Sequence, residues 1–205
     1  MKNLNIQELQ LFPTFLYSVD NFLDKKEKDQ LLKYALKQYK PSNYTFQTKG
    51  TEQNKKQYKN LSDKIKLVSK DIFSRHKLIY DTFEITSMWT NIINENDSIH
   101  IHSHANNYLS GVYYLKTDEN NSSIIFSDPR NQSMIISPKV SEWTIYNSCN
   151  WWLKPKENSV LFFPSWLQHS VELNKSKEKR ISIAFNIMFN GIIGCAKNLT
   201  QSTFK

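Results

Sequence analysis

Cysteine is scarce in this 205-residue sequence. Cys149 and Cys195 share neither a paired spacing nor a Cys-rich neighbourhood, which excludes a disulfide framework and a thiolate zinc site and leaves both expected as free thiols. Long apolar runs are missing too. No stretch approaches the roughly 18 to 20 uninterrupted apolar residues of a membrane span, and residues 1–14 lack a basic end followed by an apolar run. The expectation is a soluble, cytoplasmic protein with no membrane partner. No repeat or low-complexity segment divides the chain, and its length suits a single domain, 1–205, with a substantial core.

Acidic residues are sparse in one region. Residues 25–77 hold fourteen Lys and Arg75 against Glu27, Asp29, Glu52, Asp63 and Asp71, while the whole chain carries +8, so the remainder is slightly acidic. A basic flank can steer an acidic substrate or a nucleic acid. Here the lysines fall on the polar faces of two expected helices, where charge keeps a surface wet, and nucleic acid is not favoured as a partner.

Asp24 is placed to cap a helix over 25–40, in which Leu31, Leu32, Ala35, Leu36 and Tyr39 recur at helical spacing and Pro41 ends the pattern. In a second helix Ser62 is the expected cap, and Leu61, Ile65, Val68 and Ile72 share one side. From residue 82 onward β-branched and aromatic runs alternate with polar clusters, at 84–93, 108–115, 123–126, 143–146, 159–163 and 180–189. Many short strands after only two helices argue a mainly β chain, an antiparallel sandwich or barrel with a helical layer outside. Residues 1–80 form the helical flank in this reading and 81–195 the β core.

Three of the five histidines, His100, His102 and His104, fall within I-H-I-H-S-H at 99–104. Side chains two apart in a strand share a face, so two neighbours of this set can meet one metal. His169, just past Leu161-Phe162-Phe163-Pro164, is the best third ligand; the remaining histidine is His76, near the end of a basic helix. Imidazole suits iron, zinc, copper or nickel, so the surroundings must choose. Eleven residues after His169, Arg180 opens R-I-S-I-A-F-N, with Arg180 and Ser182 on one strand face. A guanidinium fork beside a hydroxyl is a receptor for a carboxylate.

In this order, His-x-His, a distal His and Arg-x-Ser resemble the 2-oxoglutarate and iron(II)-dependent oxygenase superfamily. The strings H-S-H-A-N-N-Y-L-S-G-V-Y-Y-L at 102–115, F-S-D-P-R at 126–130 and F-P-S-W-L-Q-H at 163–169 are similar to those of a family of 2-oxoglutarate oxygenases in marine bacteria and their phages, over most of the chain. The resemblance implies a double-stranded β-helix of jelly-roll or cupin type, iron(II) held through His102 and His169, and 2-oxoglutarate held at its distal carboxylate by Arg180 and Ser182. Tyr114 joins them by its place in S-G-V-Y-Y-L, since prolyl hydroxylases use a tyrosine of a similar T-x-x-Y-Y-L there. The implied reaction uses dioxygen, releases succinate and carbon dioxide, and by default hydroxylates a small-molecule or peptide substrate.

One position departs from the superfamily, which mostly has His-x-Asp or His-x-Glu to complete a two-His, one-carboxylate site. This chain has His104. Either His104 is the third ligand, or a carboxylate such as Asp128 substitutes, or the position stays open. Competing readings are a three-His cupin dioxygenase without 2-oxoglutarate, a nucleic-acid demethylase, in which Asn186 stands where a second arginine belongs, and a non-catalytic sugar- or protein-binding barrel. Plainer roles also stand: His100 facing solvent, Arg180 in a surface ion pair, Ser182 filling a packed strand, and Trp89, Trp151, Trp152 and Trp166 serving core or rim. Substrate specificity is expected in 42–59 and 128–150.

Overall fold

The computed structural model describes residues 7–41, 45–130 and 135–204. In chain order these form β1 (Tyr17–Val19), α1 (Lys25–Gln38), β2 (Phe46–Gln47), α2 (Lys59–Arg75), β3 (Thr82–Ile93), β4 (Ile99–His102), β5 (Leu109–Lys116), β6 (Ile124–Ser127), β7 (Asn150–Leu153), β8 (Val160–Pro164), β9 (His169–Val171), β10 (Arg180–Ile193) and β11 (Ser202–Phe204). Every ladder is antiparallel. A large sheet runs β1-β8-β5-β10-β3-β2, with β11 beside β10, and a small one runs β4-β9-β6-β7. From β3 to β10 the chain visits large, small, large, small, small, large, small, large. That alternation is the wrap of a double-stranded β-helix, and it closes one sheet over the other.

Helix α1 starts where expected. Glu27 N–H donates to Asp24 Oδ1 at 2.8 Å while Asp24 N–H donates to Glu27 Oε2 at 3.1 Å, a reciprocal capping box. Helix α2 starts earlier than its expected cap. A pair of 3-10 turns over 52–58 runs into it at Lys59, so Ser62 is already helical, buried, with its hydroxyl on Met88 Sδ. The lysines of both helices point outward, two of them in i, i+4 pairs, Lys25 with Asp29 and Lys59 with Asp63. Exposed pairs of this kind contribute little stability. Among the described residues no helix is long and apolar enough to cross a membrane. Both cysteines are free.

Two cores result. Ile181, Ile183, Phe185 and Ile187 of β10, with Tyr113, Leu115 and Phe162, pack beneath Leu31 and Ala35 of α1 and Leu61, Ile65, Ile72 and Phe73 of α2. Between the sheets a smaller cluster joins Val112, Tyr114, Leu161 and Phe163 to Ile124, Phe126 and Leu167. Gly111 of the S-G-V-Y-Y-L string has a packing reason. A Cβ there would lie 2.3 Å from Phe185 Cζ and 2.5 Å from the Leu161 carbonyl oxygen.

A further expectation changes. Residues 143–146 are not a strand: Thr144 N–H donates to Asn147 Oδ1 at 2.7 Å and Asn147 N–H returns to the Thr144 carbonyl, a local turn that competes with any ladder. The strand of this region is β7, which carries Trp151 and Trp152. Residues 42–59, where substrate specificity is expected, are partly folded against β3. Residues 42–44 lie outside the described residues, β2 pairs with β3, and Glu52 and Tyr58 are buried, Tyr58 Oη meeting Thr90 Oγ1 at 2.7 Å.

Candidate active site

His102 of β4 and His169 of β9 are direct cross-strand partners. The continuous strand expected over 99–104 instead ends at His102, and His104 sits in the following turn, its N–H donating to the Ser165 carbonyl at 2.9 Å. That turn brings the third ring back. Ring centroids lie 4.4 Å apart for His102 and His169 and 5.1 Å for His104 with each of the others. One ligating nitrogen from each ring lies within 4.8 Å of the other two, a spacing that can hold a metal ion.

The backbone sets which nitrogen is available. His102 Nδ1 lies 2.8 Å from the His100 carbonyl and His169 Nδ1 2.9 Å from the Leu167 carbonyl. A carbonyl only accepts, so both Nδ1 atoms carry the proton and both Nε2 atoms keep a lone pair, the usual outer support of a metal-binding histidine. His104 Nε2 faces His169 Nε2 at 3.3 Å. Burial, and then the neighbouring His102, lowers His104 from 6.5 to about 4. Burial likewise brings His169 to about 4 against the opposing pull of the Leu167 carbonyl, with His102 and His104 adding to the fall. Both are neutral, hence ligand-ready, at pH 7.

The other histidines lie apart. His100 is exposed and contributes only its carbonyl, and His76 pairs with Tyr17 Oη at 2.9 Å. Asp128 forms an ion pair with Arg130 at 2.7 Å and is not part of the histidine cluster. Residues 131–134 of the 128–150 stretch lie outside the described residues. Trp89 is half-buried with its ring 5.6 Å from that of His104, while Trp166 is exposed.

Arg180, Ser182 and Tyr114 come together in the interior, each only 1% exposed. Ser182 and Tyr114 are register partners, Arg180 Nη1 donates to Ser182 Oγ at 3.3 Å, and the guanidinium lies 5.1 Å from the centre of the Tyr114 ring. Among the described residues Arg180 Nε and Tyr114 Oη meet no partner in full hydrogen-bond geometry, although the two side chains lie close enough to attract each other, and no carboxylate there forms an ion pair with Arg180. Burial lowers the Arg180 pKa and raises that of Tyr114, each opposed by the other group. A buried, incompletely satisfied cation is costly unless an anion completes it, so these residues fit a carboxylate ligand. The two groups of residues line one interior: Phe126 and Phe163, packed with Tyr114, also meet the His169 ring at 5.9 and 4.8 Å.

Several inward residues carry no sequence signal of their own. Asn186, in place of the demethylase arginine, accepts from Ser110 Oγ at 2.7 Å and donates to Ser87 Oγ at 3.0 Å, and Ser110 meets Ser165 at 2.7 Å. This chain of bonds braces the turn on which the His104 backbone rests. Asn91, opposite Ser182, is a second such residue.

Residues 87–186, from β3 to β10, match the model of a family described as "Putative 2OG-Fe(II) oxygenase". The match takes in just under half of the chain, which over that stretch is similar to the 2OG-Fe(II) oxygenases. Solved structures share the fold at low identity. HygX from Streptomyces hygroscopicus, with nickel and 2-oxoglutarate bound, aligns at TM-score 0.61 and 9% identity over 85% of this chain and 83% of its own. The viral collagen prolyl hydroxylase of Paramecium Bursaria Chlorella virus-1, as a 2-oxoglutarate complex, gives 0.55 and 16% over 84% and 94%. A Pseudomonas putida prolyl-4-hydroxylase gives 0.59 and 10% over 87% and 89%. No curated protein matches by sequence. This match and the shared fold set aside the non-catalytic barrel and give iron(II) as the metal and 2-oxoglutarate and dioxygen as the cosubstrates.

Proposed function

We propose that this oxygenase hydroxylates a small-molecule or peptide substrate, with His102, His104 and His169 as the iron ligands and Arg180, Ser182 and Tyr114 as the receptor for the distal carboxylate of 2-oxoglutarate. The observation that carries the reading is the buried guanidinium without a carboxylate among the described residues, set in the same interior as three converging imidazoles. With iron(II) and dioxygen, 2-oxoglutarate supplies an oxidation that releases succinate and carbon dioxide and delivers one oxygen atom to a C–H bond. The protein's part is placement. His102 and His169 offer Nε2 lone pairs because backbone carbonyls hold their Nδ1 protons, and His104 is aimed by its bond to Ser165. Three neutral imidazoles leave the metal's charge undiminished, and Arg180 adds to it, so the interior suits a dianion. The half-buried Trp89 flanks His104 where a substrate approaches.

The family match spans β3 to β10, and β1 and β2 pair into the same large sheet, which supports reading 1–205 as one oxygenase domain. The test is an anaerobic titration of apoprotein with iron(II) and then 2-oxoglutarate, following the weak visible charge-transfer band of the chelate. A band that develops in the native protein and weakens in Arg180→Ala supports the proposal. Iron binding without a band at any 2-oxoglutarate concentration replaces it with a three-His dioxygenase independent of that cosubstrate.

A further inference from the structure

Resting on that reading, we propose that Asn91 is a further 2-oxoglutarate-binding residue, completing the receptor built by Arg180, Ser182 and Tyr114. On β3 the side chains alternate. Thr90 faces the helices, where its hydroxyl meets Tyr58, and Ile92 joins the core beneath them. Asn91 and Trp89 therefore face the other sheet, and Trp89 does so beside His104. Across β10 and β5 the register sets Asn91 opposite Ser182 and Ser182 opposite Tyr114, one polar row on the inward face.

Asn91 is 4% exposed, and its Oδ1 has no hydrogen-bond partner among the described residues. An amide buried without a partner costs about 1–3 kcal/mol, so such a group is retained where something else satisfies it. Of the large sheet's strands, β3, β5 and β10 each carry one unpartnered buried atom among the described residues, at Asn91, Tyr114 and Arg180. All three belong to the inward face at one end of the sheet. Rotating the amide exchanges C=O for NH2, so Asn91 can present a donor to a carboxylate oxygen. The row continues outward to Gln47 of β2, the exposed register partner of Asn91. Asn91 is thus the last buried group before solvent.

The test measures 2-oxoglutarate binding to the manganese(II)-loaded protein by calorimetry, for the native chain, Asn91→Leu and Asn91→Asp. Manganese affinity and melting temperature are measured alongside. Asn91→Leu is expected to bind manganese normally and 2-oxoglutarate about ten- to a hundred-fold more weakly, the range for losing a hydrogen bond to a charged group. Asn91→Asp, with the same shape but a charge opposed to the dianion, is expected to lose more. Native 2-oxoglutarate affinity in a folded Asn91→Leu overturns the proposal. If that variant fails to fold, the Asp variant decides: retained affinity overturns, lost affinity with manganese binding intact supports. A native protein that binds manganese but no 2-oxoglutarate overturns the cosubstrate reading itself and this inference with it.

Discussion

Along β10, successive residues belong to different environments. Ile181, Ile183, Phe185 and Ile187 turn toward the helices and are fully buried among apolar neighbours, whereas Arg180, Ser182 and Asn186 turn toward the small sheet and are equally buried but polar. On the helix side these apolar side chains of β10 need no polar partner, and the unpartnered Glu52 Oε2 and Gln53 Oε1 lie off β10, in the 3-10 turn at 52–54. On the other side Arg180, Tyr114 and Asn91 keep unpartnered atoms, and three histidines converge with no carboxylate among the described residues. Equal burial with unequal satisfaction separates the face that holds the fold from the face that holds a ligand.

The largest effect is expected on the helix side. Phe185 is fully buried, stacks edge-on with Phe162 at 5.3 Å and covers Gly111. Phe185→Ala should cost about 3–5 kcal/mol in urea denaturation. The 2-oxoglutarate affinity of the folded protein should stay within about two-fold of native, since additivity holds between independent sites. A parallel collapse of cosubstrate binding would break the division between faces.

Arg180→Met asks the opposite question. Removing a buried cation that lacks a carboxylate should leave the metal-loaded, cosubstrate-free protein unchanged or more stable by about 1–4 kcal/mol, as when buried charges elsewhere are replaced by apolar groups. The same change should weaken 2-oxoglutarate about a hundred-fold or more, measured by calorimetry. Substantial destabilisation would show that Arg180 serves the fold rather than a ligand.

Gly111→Ala is smaller, about 1–3 kcal/mol, because the added Cβ meets both a movable ring and the fixed Leu161 carbonyl. In a Phe185→Leu background the penalty should shrink, a coupling of about 1 kcal/mol read from a double-mutant cycle.

The parts legible in the sequence are those written in local chemistry: the Asp24 cap, the apolar stripes of both helices, and the alternation of Arg180, Ser182 and their apolar neighbours. The His-x-His spacing points to one metal, but by a different route from the one that strand periodicity suggests, since His104 returns through a turn bonded to Ser165. Residues 143–146 have strand composition and lose to the Thr144 and Asn147 side-chain turn, which periodicity does not count. Ser62 reads as a cap because 3-10 turns ahead of a helix leave little pattern. Asn91 was not visible at all. A lone amide in T-N-I-I acquires its meaning only when Ser182, ninety-one residues later, pairs with it.

The gentlest test uses pH and compares the same two faces. Unfolded histidine titrates near 6.5, while burial and neighbouring imidazoles hold His104 and His169 at about 4 in the fold. Between those values the unfolded chain binds protons that the folded state refuses, so stability rises with pH across the window. The full contribution is present above about 6.5 and is lost as pH falls toward 4. The effect is modest because His104 is partly open to water, which screens it. Urea midpoints of apoprotein from pH 7 to 5, a range above most carboxylate titrations, should fall with pH in the native chain and flatten in His104→Gln/His169→Gln. Phe185→Leu, changed only on the helix side, should shift every midpoint and keep the slope. A native profile no steeper than that of the double variant would mean the imidazoles are already protonated or solvated in the fold, and the inward face would lose its claim to stand ready for a metal.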